Sequence, residues 1–375
     1  MAEPRPELLE IEPVVHGSAS ADELAAFGLT PEDVLDFSVS TNPLGPSPAV
    51  LEAIGATDWR RYPGDDALPL RRALAERADV SAEQVVLGNG SAELLWLVAL
   101  AVLRPRHRVG ILGPTFGEYA RAARIFGADI VEFNTSLPPT GTTPSAGHSL
   151  PPLARPFSLL FVCNPNNPTG TYLEQDEVHR LLTTGALVVL DEAYVGFVEN
   201  AWPSQTLVER HANLVIVRSF TKEQALPGLR LGYLLASRQL ARACEAVRPP
   251  WNVNAGALRA GLAALLPSAE DHLTTARACV AESKYLLAEG LTRLGYAVQP
   301  SAANFLLIQV GNGEAFRRSL MPFGMVVRDC ASFGLPEYVR VACRRPDECV
   351  RLLEAVTRLT DRRQLATAEP RWVGG

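Results

Sequence analysis

The sequence predicts an α/β fold, with a large domain on a mostly parallel central sheet flanked by helices and a smaller α+β domain after it. Short apolar runs bounded by turn residues alternate with helix-patterned segments through the centre of the chain, as strands and crossover helices do. From about Leu258 this alternation gives way to long helical stretches and only two further strands. A length of 375 residues, 47% of them hydrophobic and 20% charged, is enough for a substantial core in one large or two moderate domains.

Taken in order, residues 84–87 read as a strand leading into a helix over 92–103. Residues 109–112 form the next strand, followed by a helix over 119–126 and a short strand at 130–133. A Pro/Thr/Ser/Gly-rich stretch at 137–156 is expected to be a surface loop. Strands then fall at 159–162 and 187–190, with helical pattern at 174–182 between them, and at 214–217 and 231–236. Beyond the long helices, strands are expected at 305–310 and 338–343 and a last helix at 346–359. The polar tail 361–375 is expected to be flexible. No internal repeat is visible.

The charge pattern excludes several function classes. Net charge is −6 and the arginines are dispersed among carboxylates, which argues against nucleic acid or an anionic membrane as partner. The opening Met1-Ala2-Glu3-Pro4-Arg5-Pro6 is polar, and no apolar run reaches membrane-spanning length without a charge or a breaker, so a cytoplasmic location is expected. The six cysteines (163, 244, 279, 330, 343 and 349) form no C-x-x-C and no paired spacing with histidine; they read as reduced packing residues, with no metal site.

Only two of the thirty-five basic residues are lysine, Lys222 and Lys284. Arginine keeps its proton inside a protein, whereas burial can neutralise a lysine and leave a nucleophilic amine. Lys284, in Ala-Glu-Ser-Lys-Tyr-Leu-Leu-Ala-Glu, is expected on a solvated helix face. Lys222 follows Ser219-Phe220-Thr221, has Arg230 eight residues on, and lies between two strand runs, a setting for a buried amine that forms a Schiff base.

Open α/β sheets bind ligands beyond the carboxyl ends of their strands. After residues 84–87 comes Gly88-Asn89-Gly90-Ser91-Ala92-Glu93, either a plain turn or a phosphate cradle of backbone N–H groups at a helix N-terminus. After 159–162 comes Cys163-Asn164-Pro165-Asn166-Asn167-Pro168-Thr169-Gly170, whose prolines shape a loop and whose adjacent amides offer a rigidly held donor. After 187–190 comes Asp191-Glu192-Ala193-Tyr194, where the first carboxylate is either a helix cap or a functional anion.

Together and in this order, N-P-T-G (167–170), D-E-A-Y (191–194) and S-x-T-K-x(7)-R (219–230) resemble the class I/II aminotransferases, pyridoxal 5′-phosphate (PLP) enzymes of fold type I, over about residues 16–344. The resemblance implies that Lys222 carries PLP as a Schiff base and shuttles the Cα proton, and that Asp191 keeps the pyridine nitrogen protonated. It implies that Asn167 and Tyr194 bond the phenolic oxygen and that Phe116 stacks on the ring. Gly90, Ser91, Ala92, Ser219, Thr221 and Arg230 would hold the coenzyme phosphate, joined by Tyr62 from a second subunit, so that a homodimer shares its active sites. Arg340 would clamp the substrate carboxylate as a planar fork, or be a surface strand arginine, and Asn42 would help from the N-terminal segment. The implied organisation is an N-terminal segment (1–44) near the active site and small domain, a large coenzyme-binding domain (45–255) and a small domain (256–360).

Within the family, His16-Gly17, Asp36-Phe37-Ser38, Asn42-Pro43-Leu44-Gly45, Arg328-Asp329-Cys330 and residues 340–344 are most similar to the L-threonine-O-3-phosphate decarboxylase branch, with the histidinol-phosphate aminotransferase branch second. Strand alternation places Arg340, Ala342 and Arg344 on one face. Arg344, Arg328 and His16 are then either a substrate-phosphate site or ordinary surface and packing residues. Two departures concern the substrate: Glu223-Gln224 follows the lysine where many relatives carry an aromatic residue, and the 137–156 loop is particular to this chain. A nicotinamide-dependent dehydrogenase lacks support because the first turn is no G-x-G-x-x-G with an acidic partner downstream. A non-catalytic PLP-binding regulator would need a DNA-binding domain, for which the roughly thirty-five residues before the motifs are too few and not basic enough.

Overall fold

The computed structural model describes residues 3–14, 17–63, 67–145 and 156–368. Strand β1 (Leu35–Asp36) is short. The next seven build the large sheet: β2 (Val85–Gly88), β3 (Arg108–Gly113), β4 (Asp129–Asn134), β5 (Leu159–Cys163), β6 (Leu187–Asp191), β7 (Leu214–Ser219) and β8 (Gly232–Ala236). Their spatial order is β2-β8-β7-β6-β5-β3-β4. The β4-β3-β5-β6-β7 run is parallel, and β8 lies antiparallel to both of its neighbours. Helices Ser91–Val102, Glu118–Ile125 and Gln175–Leu182 fall between successive strands, as the sequence predicts to within two residues.

The strands read as unbroken apolar runs because both faces of the sheet are covered. On one face Leu160, Val162, Val188, Leu190, Leu214 and Ile216 enter one core cluster. The alternate residues Leu159, Phe161, Val189, Val215 and Val217 enter the cluster on the other face.

The second sheet has the order β12-β13-β10-β9, built from β9 (Ala297–Val298), β10 (Phe305–Gln309), β12 (Arg328–Asp329) and β13 (Tyr338–Ala342), while β11 (Met325–Val326) pairs in parallel with β1. Leu287 and Leu291 from the long helix Pro267–Arg293, and Leu352 and Val356 from the last helix, pack on Leu306, Ile308, Val339 and Val341. That last helix runs Pro346–Ala368, well beyond the expected end at residue 359. The segment Arg362-Arg363-Gln364-Leu365-Ala366 is rich in good helix formers, and no proline falls between Pro346 and Pro370. Residues 146–155 of the Pro/Thr/Ser stretch and 369–375 of the tail lie outside the described residues. Among the described residues, no helix is long and apolar enough to cross a membrane.

Register is what assembles the strand ends. Cys163 pairs with Asp191, Asp191 with Val217, and Gly232 with both Gly88 and Ser219. Gly232 therefore sits where three backbones converge: a Cβ there would lie 2.8 Å from Ser91 N and 2.9 Å from Arg218 O. Both obstacles are main chain and have little room to yield. Gly232→Ala is expected to lose about 1–3 kcal/mol in urea unfolding at unchanged m-value, through overpacking.

Candidate active site

A cleft of about 1130 Å³ opens over the carboxyl ends of β5, β6 and β7. Its floor is set by the loop after β5. Asn164 closes that loop on itself, donating from Nδ2 to Leu173 O (3.1 Å) and accepting from Leu173 N (2.7 Å). Asn166 ties it to the neighbouring strand end through Pro114 O (2.9 Å) and the Thr115 hydroxyl (2.6 Å). Asn167 is left facing the cleft, where its Oδ1 accepts from Arg340 Nη1.

Asp191 ends β6 with 4% of its surface exposed. Its Oδ2 accepts from the Tyr119 hydroxyl at 2.7 Å and its Oδ1 from Ala193 N at 3.0 Å. Burial pushes this carboxyl up to about 6, against the pull of those donors and of Lys222. Lys222 lies on the one-turn helix Phe220–Glu223 that follows β7, with its Nζ 5.5 Å from the Tyr194 ring centre. Tyr194 in turn meets the ring of Phe305 edge-on at 5.1 Å. Phe116 lines the same cleft and stands edge-on to Tyr119 at 5.7 Å.

One end of the cleft is built for an anion. The helix Ser91–Val102 starts at Gly90 (φ +81°) with no side-chain cap, so its first N–H groups point outward unpaired by a capping residue. Arg230 folds its guanidinium against Gly90 so closely that no Cβ would fit there. Ser91, Ala92, Ser219, Thr221 and Arg230 line this end together.

The other end holds two arginines that face each other across the β12–β13 register. Arg340, 6% exposed, donates from Nη2 to Ser38 O at 2.8 Å and lies 5.0 Å from the centre of the Phe305 ring. Its Nε and the nearby Ser40 hydroxyl are buried without a hydrogen-bond partner among the described residues. Arg328 donates to the Ser332 hydroxyl at 2.6 Å, and burial together with the adjacent Arg340 lowers its pKa.

Three sequence-predicted residues lie elsewhere. Arg344 does not extend the anion site: β13 ends at Ala342, and the Arg344 guanidinium pairs with Glu348 (2.8 and 3.1 Å) and Asp36 O (3.1 Å) at the start of the last helix. Asn42 is beside the cleft and not on its wall. It braces the lysine helix, with its backbone N–H on Lys222 O at 2.8 Å and its Nδ2 on Glu223 O at 3.0 Å. Tyr62 is on the outer surface, 78% exposed and stacked on Trp251 at 4.5 Å. His16 lies outside the described residues, although Gly17 lines the cleft. Lys284 is not on a solvated face either: it is half-buried, donates to Ser301 O at 3.0 Å, and burial lowers its pKa.

Sequence reasoning missed Tyr119 and Cys163, both at the buried end of the cleft. The spacing of Tyr119 three residues after Phe116 does not separate it from core packing, and the register that sets Cys163 beside Asp191 exists only in the folded sheet. All six cysteines are free thiols. No cluster of histidine, cysteine and carboxylate residues suited to a metal occurs among the described residues.

The donor set fits PLP: a buried carboxylate at one end, an amine beside it, an aromatic face, and an uncapped helix start with a guanidinium for a phosphate. The sheet order and the cleft at its strand ends are those of the fold-type I arrangement. Residues 32–356 match the family model for aminotransferase class I and II. A histidinol-phosphate aminotransferase of Symbiobacterium thermophilum is 36% identical over 95% of this chain and 98% of its own. The fold superposes on that of the histidinol-phosphate aminotransferase from Sinorhizobium meliloti, determined in complex with PLP, with a TM-score of 0.82 at 22% identity, covering 96% and 98% of the two chains. L-Threonine-O-3-phosphate decarboxylase from Porphyromonas gingivalis aligns with a TM-score of 0.72 at 26% identity, over 88% of this chain and all of its own. The chain belongs to the class I and II aminotransferases, enzymes that work with pyridoxal 5′-phosphate.

Because Arg344 is paired away from the cleft, Arg344→Ala is expected to leave KM for a phosphorylated substrate unchanged. The cost is expected in stability, about 1 kcal/mol for a partly exposed ion pair, read by thermal or urea unfolding.

Proposed function

We propose that this enzyme is a histidinol-phosphate-type aminotransferase, moving the amino group of a small phosphorylated amine to a 2-oxo acid. The observation that carries this reading is the identity to a histidinol-phosphate aminotransferase along nearly the full length of both chains. It reverses the order in which the motifs alone rank the two branches, and one of the arginines favouring decarboxylation, Arg344, is engaged with Glu348. The 26% identity to L-threonine-O-3-phosphate decarboxylase makes decarboxylation the competing outcome.

When bound, PLP supplies an electron sink for the Cα–H bond of the amine. Asp191 would hold the proton on the pyridine nitrogen at the buried end. Lys222 would carry the coenzyme between turnovers and, once released, take the proton from Cα as the general base. Tyr194 and Asn167 would bond the phenolic oxygen, and Phe116 would lie against the ring. The uncapped turn at Gly90, Ser91 and Ala92, with Ser219, Thr221 and Arg230, would hold the coenzyme phosphate. Arg340 and Arg328 would receive the substrate anion, a phosphate in one half-reaction and a carboxylate in the other, since a guanidinium fork suits both.

The same reading makes the enzyme a homodimer. Tyr62, Trp59, Leu51, Trp251, Leu262 and Leu266 are all exposed, and Trp59 packs over Gly256 of the helix that carries Leu262. An exposed apolar face of this kind calls for a partner surface, and Tyr62 would reach the coenzyme phosphate of the second subunit from it.

Histidinol phosphate has no carboxyl group to lose, so the two branches separate cleanly. With histidinol phosphate and no acceptor we expect one equivalent of product per site, and sustained turnover once 2-oxoglutarate is added. Repeated release of carbon dioxide from L-threonine-O-3-phosphate without any acceptor would instead establish the decarboxylase. Borohydride is expected to fix one coenzyme per chain on Lys222, and Lys222→Ala to lower turnover about 10⁴-fold or more; an adduct mapped to Lys284 by peptide mass would overturn the assignment.

A further inference from the structure

Asp191 is met from every side by a different element. Tyr119 reaches it from the helix Glu118–Ile125, Cys163 from β5 and Lys222 from the helix after β7, while Glu192 continues its own strand end. Cys163 is pushed up to about 12 by burial and stays a neutral thiol. Glu192 is paired with Arg218 at 2.9 Å, so that guanidinium is spent on the neighbouring acid. The shortest contact to the Asp191 carboxylate is the hydroxyl of Tyr119, at 2.7 Å.

Tyr119 is wholly buried. Its ring is stacked on Phe161, with centres 5.0 Å apart and planes at 12°, and stands edge-on to Phe116. Burial raises its own pKa, so the hydroxyl remains a donor. A buried carboxylate drifts toward its neutral acid unless donors favour the anion. A neutral Asp191 could not hold a proton on a pyridine nitrogen by charge.

We propose that Tyr119 is a positioning residue, whose hydroxyl keeps Asp191 ionised and turned toward the coenzyme ring while its own ring backs the Phe116 plate. This rests on the assignment of Asp191 to the pyridine nitrogen made above. One side chain then sets both the charge beneath the coenzyme and the aromatic surface on which it lies.

The test is equilibrium binding of pyridoxamine 5′-phosphate by titration calorimetry from about pH 5 to 9. This probe keeps the pyridine nitrogen and the phosphate but has no aldehyde to condense with Lys222. Its own ionisations are common to all variants and cancel between them. In the wild type, affinity requires ionised Asp191. It is therefore full at high pH and lost as pH falls through the carboxyl's value of about 6. Tyr119→Phe removes the donor and lifts that carboxyl further, so the loss should begin higher, by about one pH unit, with about fivefold weaker binding at the wild-type midpoint and about tenfold well below it. The high-pH plateau should be kept. Asp191→Asn should leave only the pH dependence that the probe's own phosphate brings, and Tyr119→Phe should add no shift in that background. A Tyr119→Phe profile with the wild-type midpoint, or one lowered equally at every pH as a packing defect would give, overturns the proposal. An Asp191→Asn protein whose whole profile coincides with the wild type overturns the Asp191 assignment and the proposal with it.

Discussion

A carboxylate buried at the end of a parallel strand must be met by positive charge or surrender its own, and much of the cleft answers that requirement at Asp191. Two acids end this strand in succession, and they are treated differently. Glu192 is paired with Arg218, whose guanidinium also reaches Ser204 and Gln205. Asp191 turns the other way and receives only neutral donors from Tyr119 and Ala193, with Lys222 at longer range. The fold thus spends Arg218 on the acid that needs no ligand. The other acid remains incompletely compensated, a state suited to a cationic ring nitrogen.

Distance from that carboxylate organises the rest. The three parallel strands β5, β6 and β7 end in register, so the loop of Asn167, Asp191 itself and the lysine helix open into one space. Arg340 crosses into it from the second sheet and bonds both Asn167 and the Ser38 carbonyl of the N-terminal segment. Three remote stretches of chain therefore share one guanidinium. An anion that takes it must compete with a carbonyl and an amide, which couples ligand arrival to the packing of the N-terminal segment on the cleft.

The large sheet is legible because its strands are covered on both faces and show as plain apolar runs, and the cleft-lining Asn167, Asp191 and Lys222 because each lies at or just after a strand end. What escaped depends on contacts no local pattern encodes. Strand alternation extended two residues past Ala342 misplaces Arg344, because the chain turns there to start a helix and gives this guanidinium to Glu348. Asn42 sits in a motif, yet its task is to brace the backbone of a helix far along the chain. Tyr119 has aromatic spacing indistinguishable from core packing. Lys284 has polar neighbours in sequence, but the turn at Ser301 folds over it and takes its proton donor.

That last contact bears on how the molecule meets reactive carbonyl compounds. Primary amines condense with aldehydes, whereas guanidinium groups do so poorly. The surface cations here are arginine, and the second side-chain amine is half-buried and held against the Ser301 carbonyl. An aldehyde cofactor supplied in excess thus finds few competing lysines. The scarcity acts as a built-in chemoselectivity, steering imine chemistry toward the cleft rather than scattering it over the exterior.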